Sequence, residues 1–419
     1  MSGLRVAVAG AGLGGLCLAQ GLARAGMRVD VYERDPALDA RQQGYRLHVD
    51  ARAGLALRRC LPPELFDLFL ATTGRPGKAF TVLSPALRVM HETPGDEAPG
   101  DPDRDPDDPA RLSTSVNRQT LREILIAGID DRVHFGHELV DFEQDGTGVR
   151  LRFADGSTAE AGVLVGADGV NSVVRRRYLP GADIVDTGSR CVYGRTPLDE
   201  STLPLVPAPM HDGFTAIVGG RIGMAAGLVR FRQRPDEAAA TIAPGVALSP
   251  TADYLMWAIS ARRDRFPLPD ERMGALDAAS LHEVATAMVR SWHPDLRALV
   301  GRADVDGTFF IRVRSSVPVP AWKPSRVTVL GDAIHAMSPA RGSGANTALQ
   351  DAGLLCEALA GAAGDPTAIV EAIGGYEERL RDYGFAAVRA SREAEATTAR
   401  RGRGPWLWLF DHLPRRPER

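Results

Sequence analysis

Hydrophobic and polar positions change their period repeatedly along this chain, and each change predicts a different element. Leu4–Ala9 is an unbroken apolar run, as in a parallel strand buried on both faces. Leu13–Ala25 has helical character with small residues along it, and Arg28–Tyr32 reads as the next strand, so the chain opens β–α–β. Asn117–Ala127 ("NRQTLREILIA") predicts a helix with Leu121, Ile124 and Leu125 as its core stripe. "HELVDFEQ" and "GVRLRFADGS" alternate as hairpin strands do, with turns at Asp145-Gly146 and Asp155-Gly156. Val163–Val165 is again short and apolar. From about 188 to 320 the alternation suits antiparallel sheet, interrupted by a helix near 277–292. Arg326–Leu330 returns to the parallel-strand pattern, and from Ser343 the chain is largely helical.

Two stretches fall outside this scheme. Thr93–Arg111 ("TPGDEAPGDPDRDPDDPAR") is too rich in Pro, Asp and Gly to bury a core. It reads as a surface loop, with a regulatory acidic lid as the alternative. The C-terminus, "RRGRGPWLWLFDHLPRRPER", reads as a terminal segment laying Trp406, Trp408 and Phe410 on its own domain; contact with a membrane surface or a partner is the alternative.

Composition adds little beyond exclusions. With 419 residues the chain is long enough for two or three subdomains, and a net charge of −3 makes no case for nucleic acid or an anionic membrane. Lys78 and Lys323 are the only lysines among 50 basic residues, which we read as GC-rich genomic base composition. Cys17, Cys60, Cys191 and Cys356 form no CxxC and no metal-ligand spacing, so free thiols in a reducing cytoplasm are expected and no metal is assigned. No stretch is long and apolar enough for a spanning helix, and the N-terminus lacks the marks of a signal peptide. A cytoplasmic protein, monomer or homodimer, is expected.

Gly10-x-Gly12-x-x-Gly15 follows the first strand and opens the first helix. Gly10 permits the tight turn, Gly12 lets backbone approach a pyrophosphate, and Gly15 brings helix close to strand. The helix start, with Leu13 and Gly14, offers free N–H groups to the anion. Glu33 ends the second strand, where an acid accepts ribose hydroxyls, with Arg34 beside it. This motif alone fits FAD or NAD(P). "VTVLGDAIHAMSPARGSGANTALQDA" (Val327–Ala352) resolves the choice. It ends a strand with Asp332, then sets Pro339, Gly342, Gly344, Ala345 and Asn346 before a helix, but carries no second β–α–β with its own acid. It reads as the other grip on one long cofactor, Asp332 accepting from a ribityl or ribose hydroxyl. FAD spans the two. Between them lies "VLVGADGVNSVVRR", with Asp168-Gly169 at a strand end; an ordinary turn is its plainer reading.

In order and spacing these three elements resemble the group A flavoprotein monooxygenases, the p-hydroxybenzoate hydroxylase-like family, over about residues 1–385. The resemblance implies roles for Gly10, Gly12, Gly15 and Glu33 at the ADP part and for Arg118 at the phosphates. It places Asp332 at the ribityl chain and Asp168 with its neighbours at both FAD and NAD(P)H. It also implies a chemistry: NAD(P)H reduces FAD, dioxygen adds as a flavin C4a-hydroperoxide, and one oxygen atom passes to an electron-rich aromatic or polyketide-like substrate. Secondary metabolism such as antibiotic biosynthesis is the setting by association. The chain departs from the family at Ser343, where Gln or Met is common, and after Gln43, where "GYRLHVDARAGLALRRCL" replaces the usual Pro-Asn form. It also ends before a thioredoxin-like C-terminal domain would begin.

The expected fold is α/β: a discontinuous Rossmann-type FAD-binding domain (1–75, 112–187, 323–373), a mostly antiparallel substrate domain (76–111, 188–322) and a helical C-terminal segment (374–419). Tyr193, Arg195, His211, Met224 and Trp257 are substrate-contact candidates, each with a core or surface role as its alternative, and Arg46 and His48 are read as facing the flavin or the substrate mouth. No catalytic base is assigned; His335, three residues after Asp332, is weighed as one and read as structural. Epoxidation or Baeyer–Villiger insertion, an FAD dehydrogenase without oxygen transfer, and a flavin-binding accessory protein stay open. Nothing like the WxWxIP signature of related halogenases appears.

Overall fold

The unbroken apolar runs become strands covered on both sides. The computed structural model describes residues 4–401 apart from 41–44, 76, 78, 95–103, 106, 112, 212 and 366. In it five parallel strands lie in the order Val327–Val329, Val163–Gly166, Arg5–Ala9, Arg28–Glu33, Val133–Phe135. Val6, Val8, Val31, Val163, Val165, Val327 and Val329 are all buried, which is why these runs show no polar alternation. The N-terminal helix Leu13–Arg24 packs along the late helix Gly344–Ala362. Small residues permit the closeness: a Cβ on Gly14 would stand 3.0 Å from the Ala348 carbonyl, and one on Gly21 would stand 2.6 Å from the Cys356 sulfur.

The alternating region forms a second, seven-stranded sheet in the order Phe309–Ser316, Ile184–Pro197, Tyr254–Arg262, Ile222–Val229, Gly213–Gly219, Ala79–Leu83, Val89–Pro94. Neighbours are antiparallel except Gly213–Gly219 beside Ala79–Leu83. Its period of two sorts side chains between two cores. Leu255, Trp257 and Ile259 join the cluster under helices Ala278–Met288 and Pro294–Gly301, whereas Tyr254, Met256 and Ala258 face the other way with Tyr45, Tyr193 and Phe214. The molecule is therefore α/β, a Rossmann-type parallel sheet joined to a mostly antiparallel one.

Several elements differ from the sequence expectation. The helix near 277–292 stops at Met288, and a new one starts at Pro294 with His293 as N-cap. Proline disfavours helical backbone in the residue before it and suits a first helical position. Thr93 and Pro94, expected in the acidic loop, close a strand opposite Phe80 and Ala79. The far end of that loop is docked: Asp108 accepts from Arg58 at 2.8 Å, and buried Ala110 lies on Gly54, where a Cβ would come 1.9 Å from the Ala110 carbonyl. Helices Ala51–Cys60 and Pro63–Ala71 were not foreseen. One helix, Ile369–Arg401, runs on through residue 374. Trp406, Trp408 and Phe410 lie outside the described residues. Among the described residues no helix is long and apolar enough to cross a membrane.

Trp257→Ala should empty a fully buried site on the helix-covered face and cost about 3–5 kcal/mol of stability. Urea unfolding of the cofactor-loaded protein should show the lower midpoint while the bound cofactor per chain stays unchanged. Cofactor loss without a lowered midpoint would contradict this placement.

Candidate active site

Strand Arg5–Ala9 delivers the chain into a turn that only glycine fits. Gly10 has φ +109°, and a Cβ there would sit 2.4 Å from the Ala167 carbonyl oxygen. Gly15 brings the helix onto the turn so closely that a Cβ would meet the Gly10 carbonyl at 2.1 Å. Gly12 is the N-cap and provides no side-chain cap, and a Cβ on it would meet nothing within 4 Å. That space belongs to a large cavity lined here by Gly12, Leu13, Gly14 and Gly15. Uncapped N–H groups at a helix start, open to a cavity, suit an anion. Glu33 secures the turn from behind: its carboxylate accepts the Ala11 N–H at 2.7 Å and the Asp35 N–H at 3.0 Å. It is buried and does not line the cavity, though each oxygen keeps a lone pair for a hydroxyl. Arg34 next to it is exposed.

Arg118 opens the helix Arg118–Ile126, where Asn117 caps the Gln119 and Thr120 N–H groups. Its own N–H donates to the Tyr45 carbonyl at 3.0 Å, and its guanidinium lies over the Tyr45 ring at 5.6 Å. Nη1 is buried, without a hydrogen-bond partner among the described residues, and Arg118 lines the cavity. An orphaned guanidinium nitrogen on the same cavity as an uncapped helix start suits a pyrophosphate.

The strand Val327–Val329 ends in a second special turn. Gly331 has φ +63°, and Asp332 follows with its carboxylate in the cavity and no hydrogen-bond partner among the described residues. The surrounding protein raises its pKa, opposed by the positive fields of His335, Arg118 and Arg314. A free carboxylate here is ready to accept from hydroxyl groups. Pro339, Gly342, Gly344 and Ala345 line the same wall, Gly342 in the left-handed region at φ +62°. The helix Gly344–Ala362 also starts without a side-chain cap. Asn346 is already committed. Its amide donates to the His48 and Gly342 carbonyls at 2.9 and 3.1 Å and accepts the Asp50 N–H at 2.9 Å, stapling the 46–50 segment to the glycine loop. Asp168 accepts the Val173 N–H at 2.7 Å at the start of the helix Val173–Tyr178 and stays off the cavity, with Oδ1 buried and without a partner among the described residues; Gly169, at φ +73°, lines it.

Beyond the glycine loop the cavity opens against the seven-stranded sheet, and its total volume is about 2780 Å³. Tyr45, Arg46, His48, Tyr193, Phe80, Phe214, Met224 and Met256 are among its walls. Tyr193 stacks on Phe309 at 5.2 Å. Arg46 lies over the Phe214 ring at 5.3 Å, its Nε is buried without a partner, and burial pushes its pKa down to about 10. Burial, with Arg46 nearby, also pushes His48 down to about 4, so His48 is neutral at physiological pH. Three candidates lie elsewhere. Arg195 pairs with Asp304 at 2.7 Å, His211 bonds the Val206 carbonyl at 3.0 Å, and Trp257 donates to Thr196 at 3.1 Å on the far sheet face. His335 is fully buried, bonded to Asp351 at 2.6 Å, and off the cavity. Sequence reading missed Tyr45, Phe80 and Phe214, whose only signal was an aromatic in a short alternating run.

Comparison with known proteins agrees with this geometry. Residues 283–391 match the FAD binding domain family and residues 8–56 match the NAD(P)-binding Rossmann-like domain family. A solved structure from Photorhabdus luminescens, assigned as an FAD-containing monooxygenase, is 32% identical with a TM-score of 0.77, covering 93% of this chain and 97% of that one. The dual O-methyltransferase/FAD-dependent monooxygenase CTB3 of Cercospora beticola is 34% identical over 401 residues, 90% of this chain but 44% of that protein. The chain thus spans less than half the length of the first curated relatives it matches. The 6-hydroxynicotinate 3-monooxygenase of Bordetella bronchiseptica is 27% identical over 84% of this chain and 81% of its own. The chain belongs to the FAD-dependent monooxygenases of the p-hydroxybenzoate hydroxylase-like family, and FAD is the cofactor its cavity fits.

Asp332→Ala should weaken FAD binding about ten- to a hundredfold, the worth of one or two hydrogen bonds to a charged group. Fluorescence titration of the apoprotein measures it, and the apoprotein's melting temperature should stay put. Gly12→Val should abolish FAD retention by filling the cradle, again without unfolding the chain; a Gly12→Val variant that purifies yellow would refute the pyrophosphate position.

Proposed function

We propose that this chain is an NAD(P)H-consuming monooxygenase that hydroxylates an electron-rich aromatic or polyketide-like small molecule, with dioxygen as co-substrate. The observation that carries the proposal is the continuity of one cavity. It runs from the uncapped helix start at Gly12, past Arg118 and Asp332 and the glycine loop, to an aromatic-walled face of the large sheet. FAD held along the first part supplies the oxygen-activating chemistry, by the route the family resemblance implies.

The protein's own groups supply the rest. Tyr45, Phe80, Phe214 and Met256 offer flat apolar walls to an aromatic ring and keep water from the reacting centre. Arg46, whose Nε has no hydrogen-bond partner among the described residues, favours the ionised form of a phenol or enol and so makes its ring more electron-rich. His48 is neutral there and adds no competing charge. The relatives support an aromatic substrate: one is named for hydroxylating 6-hydroxynicotinate, and others join a monooxygenase to an O-methyltransferase, an activity that uses hydroxyl groups.

The FAD-loaded protein should oxidise NADPH or NADH slowly alone. A panel of naphthols, hydroxynaphthoates and hydroxyquinolines should contain members that accelerate this about tenfold or more and gain one oxygen atom by mass spectrometry. Substrates that lose hydrogen without gaining oxygen would replace the proposal with a dehydrogenase.

A further inference from the structure

Among the described residues the Asp332 carboxylate has no hydrogen-bond partner, so its aim depends on the turn beneath it. That turn is held by a side chain behind the cavity wall. Asp351, fully buried on the helix Gly344–Ala362, accepts the Gly331 N–H at 2.7 Å and His335 Nε2 at 2.6 Å on one oxygen. Its other oxygen accepts the Tyr383 hydroxyl at 2.5 Å. Tyr383 comes from the long C-terminal helix Ile369–Arg401, which reaches the cavity with Ala390, Glu393 and Ala394 but not with Tyr383 itself. Two helical turns earlier on the same face, Tyr376 donates to the Val329 carbonyl at 3.1 Å, on the strand that feeds the turn. Gly384 lets that helix close on the His335 ring, where a Cβ would stand 2.9 Å from Cδ2. From the opposite side Arg175 donates to the Ala333 carbonyl at 3.0 Å.

An acid in the middle of a buried helix needs donors, and two of these three come from the Gly331–His335 turn while the third comes from the C-terminal helix. Asp351, His335 and Tyr383 do not line the cavity, so they act on a ligand only through the turn. We propose that Asp351 and Tyr383 are positioning residues through which the C-terminal helix fixes the Gly331–Asp332 turn and thereby sets the affinity of the site for FAD. The inference rests on FAD being the occupant of the cavity. It gives the C-terminal helix a part in cofactor binding that its remoteness in sequence conceals.

A double-mutant cycle tests it, read by fluorescence titration of the apoprotein with FAD and by the apoprotein's melting temperature. Tyr383→Phe removes one hydroxyl and keeps the ring, so the chain should fold and melt within a few degrees of the parent. FAD affinity should fall about tenfold, the worth of one Asp332 hydrogen bond to the ligand that the loosened turn no longer aims. In an Asp332→Ala background the same change should alter FAD affinity by less than about twofold, because there is no carboxylate left to aim. An equal loss in both backgrounds, or FAD affinity unchanged by Tyr383→Phe in the parent, would overturn the proposal. Failure of FAD to bind the parent at all would instead strike at the cofactor reading.

Discussion

Two helices begin on one cavity with no side chain capping either of them, and the rest of the structure follows from that. The first N–H groups of Leu13–Arg24 and of Gly344–Ala362 have no intrahelical acceptors, and neither Gly12 nor Ser343 supplies one. Left in a closed core such ends would be costly. Left on a cavity they form two seats for anionic or strongly polar groups of one ligand. The chain meets this requirement by packing the two helices flank to flank on glycine and alanine, so that segments from opposite ends of the sequence share a single wall.

The charges on that wall are arranged with the same economy. Among the described residues, Arg118 presents an unpartnered nitrogen to the cavity, and Asp332 presents a carboxylate without a hydrogen-bond partner beside the Gly344 helix start. Other polar groups nearby are spent on holding them. Glu33 ties the first glycine turn, Asn346 staples the 46–50 segment to the glycine loop, and Asp351 carries the turn under Asp332. An open site inside a packed protein needs such supports, because groups without ligand contacts of their own must keep the ligand-facing ones aimed.

Much of this was legible in the sequence because it is local. The strand–Gly-x-Gly-x-x-Gly–helix unit, its acid at the end of the second strand and the strand ending in Asp332 each lie in one short stretch whose residue types admit few conformations. The faces of the large sheet were not legible. Alternation shows that Met256 and Trp257 point opposite ways, but which one meets the cavity depends on where helices Ala278–Met288 and Pro294–Gly301 pack. The same limit hid Tyr383, which is one tyrosine in a long helix until Asp351 is found beside it. Helices Ala51–Cys60 and Pro63–Ala71 do carry local signals, an Asp50 cap and a Pro63 start, but the buried face of the first is mostly alanine and glycine and makes no large apolar stripe.

The central claim is that one ligand is gripped at both ends, and binding of its fragments tests that directly. The apoprotein should be titrated separately with FAD, ADP and FMN, each followed by calorimetry. The account predicts one FAD per chain, bound about a hundredfold or more tighter than either fragment, because the second grip acts on a ligand already tethered by the first. FAD binding no tighter than ADP would mean that only the Gly12 end holds it, and the reading of the Asp332 turn as its second grip would be wrong.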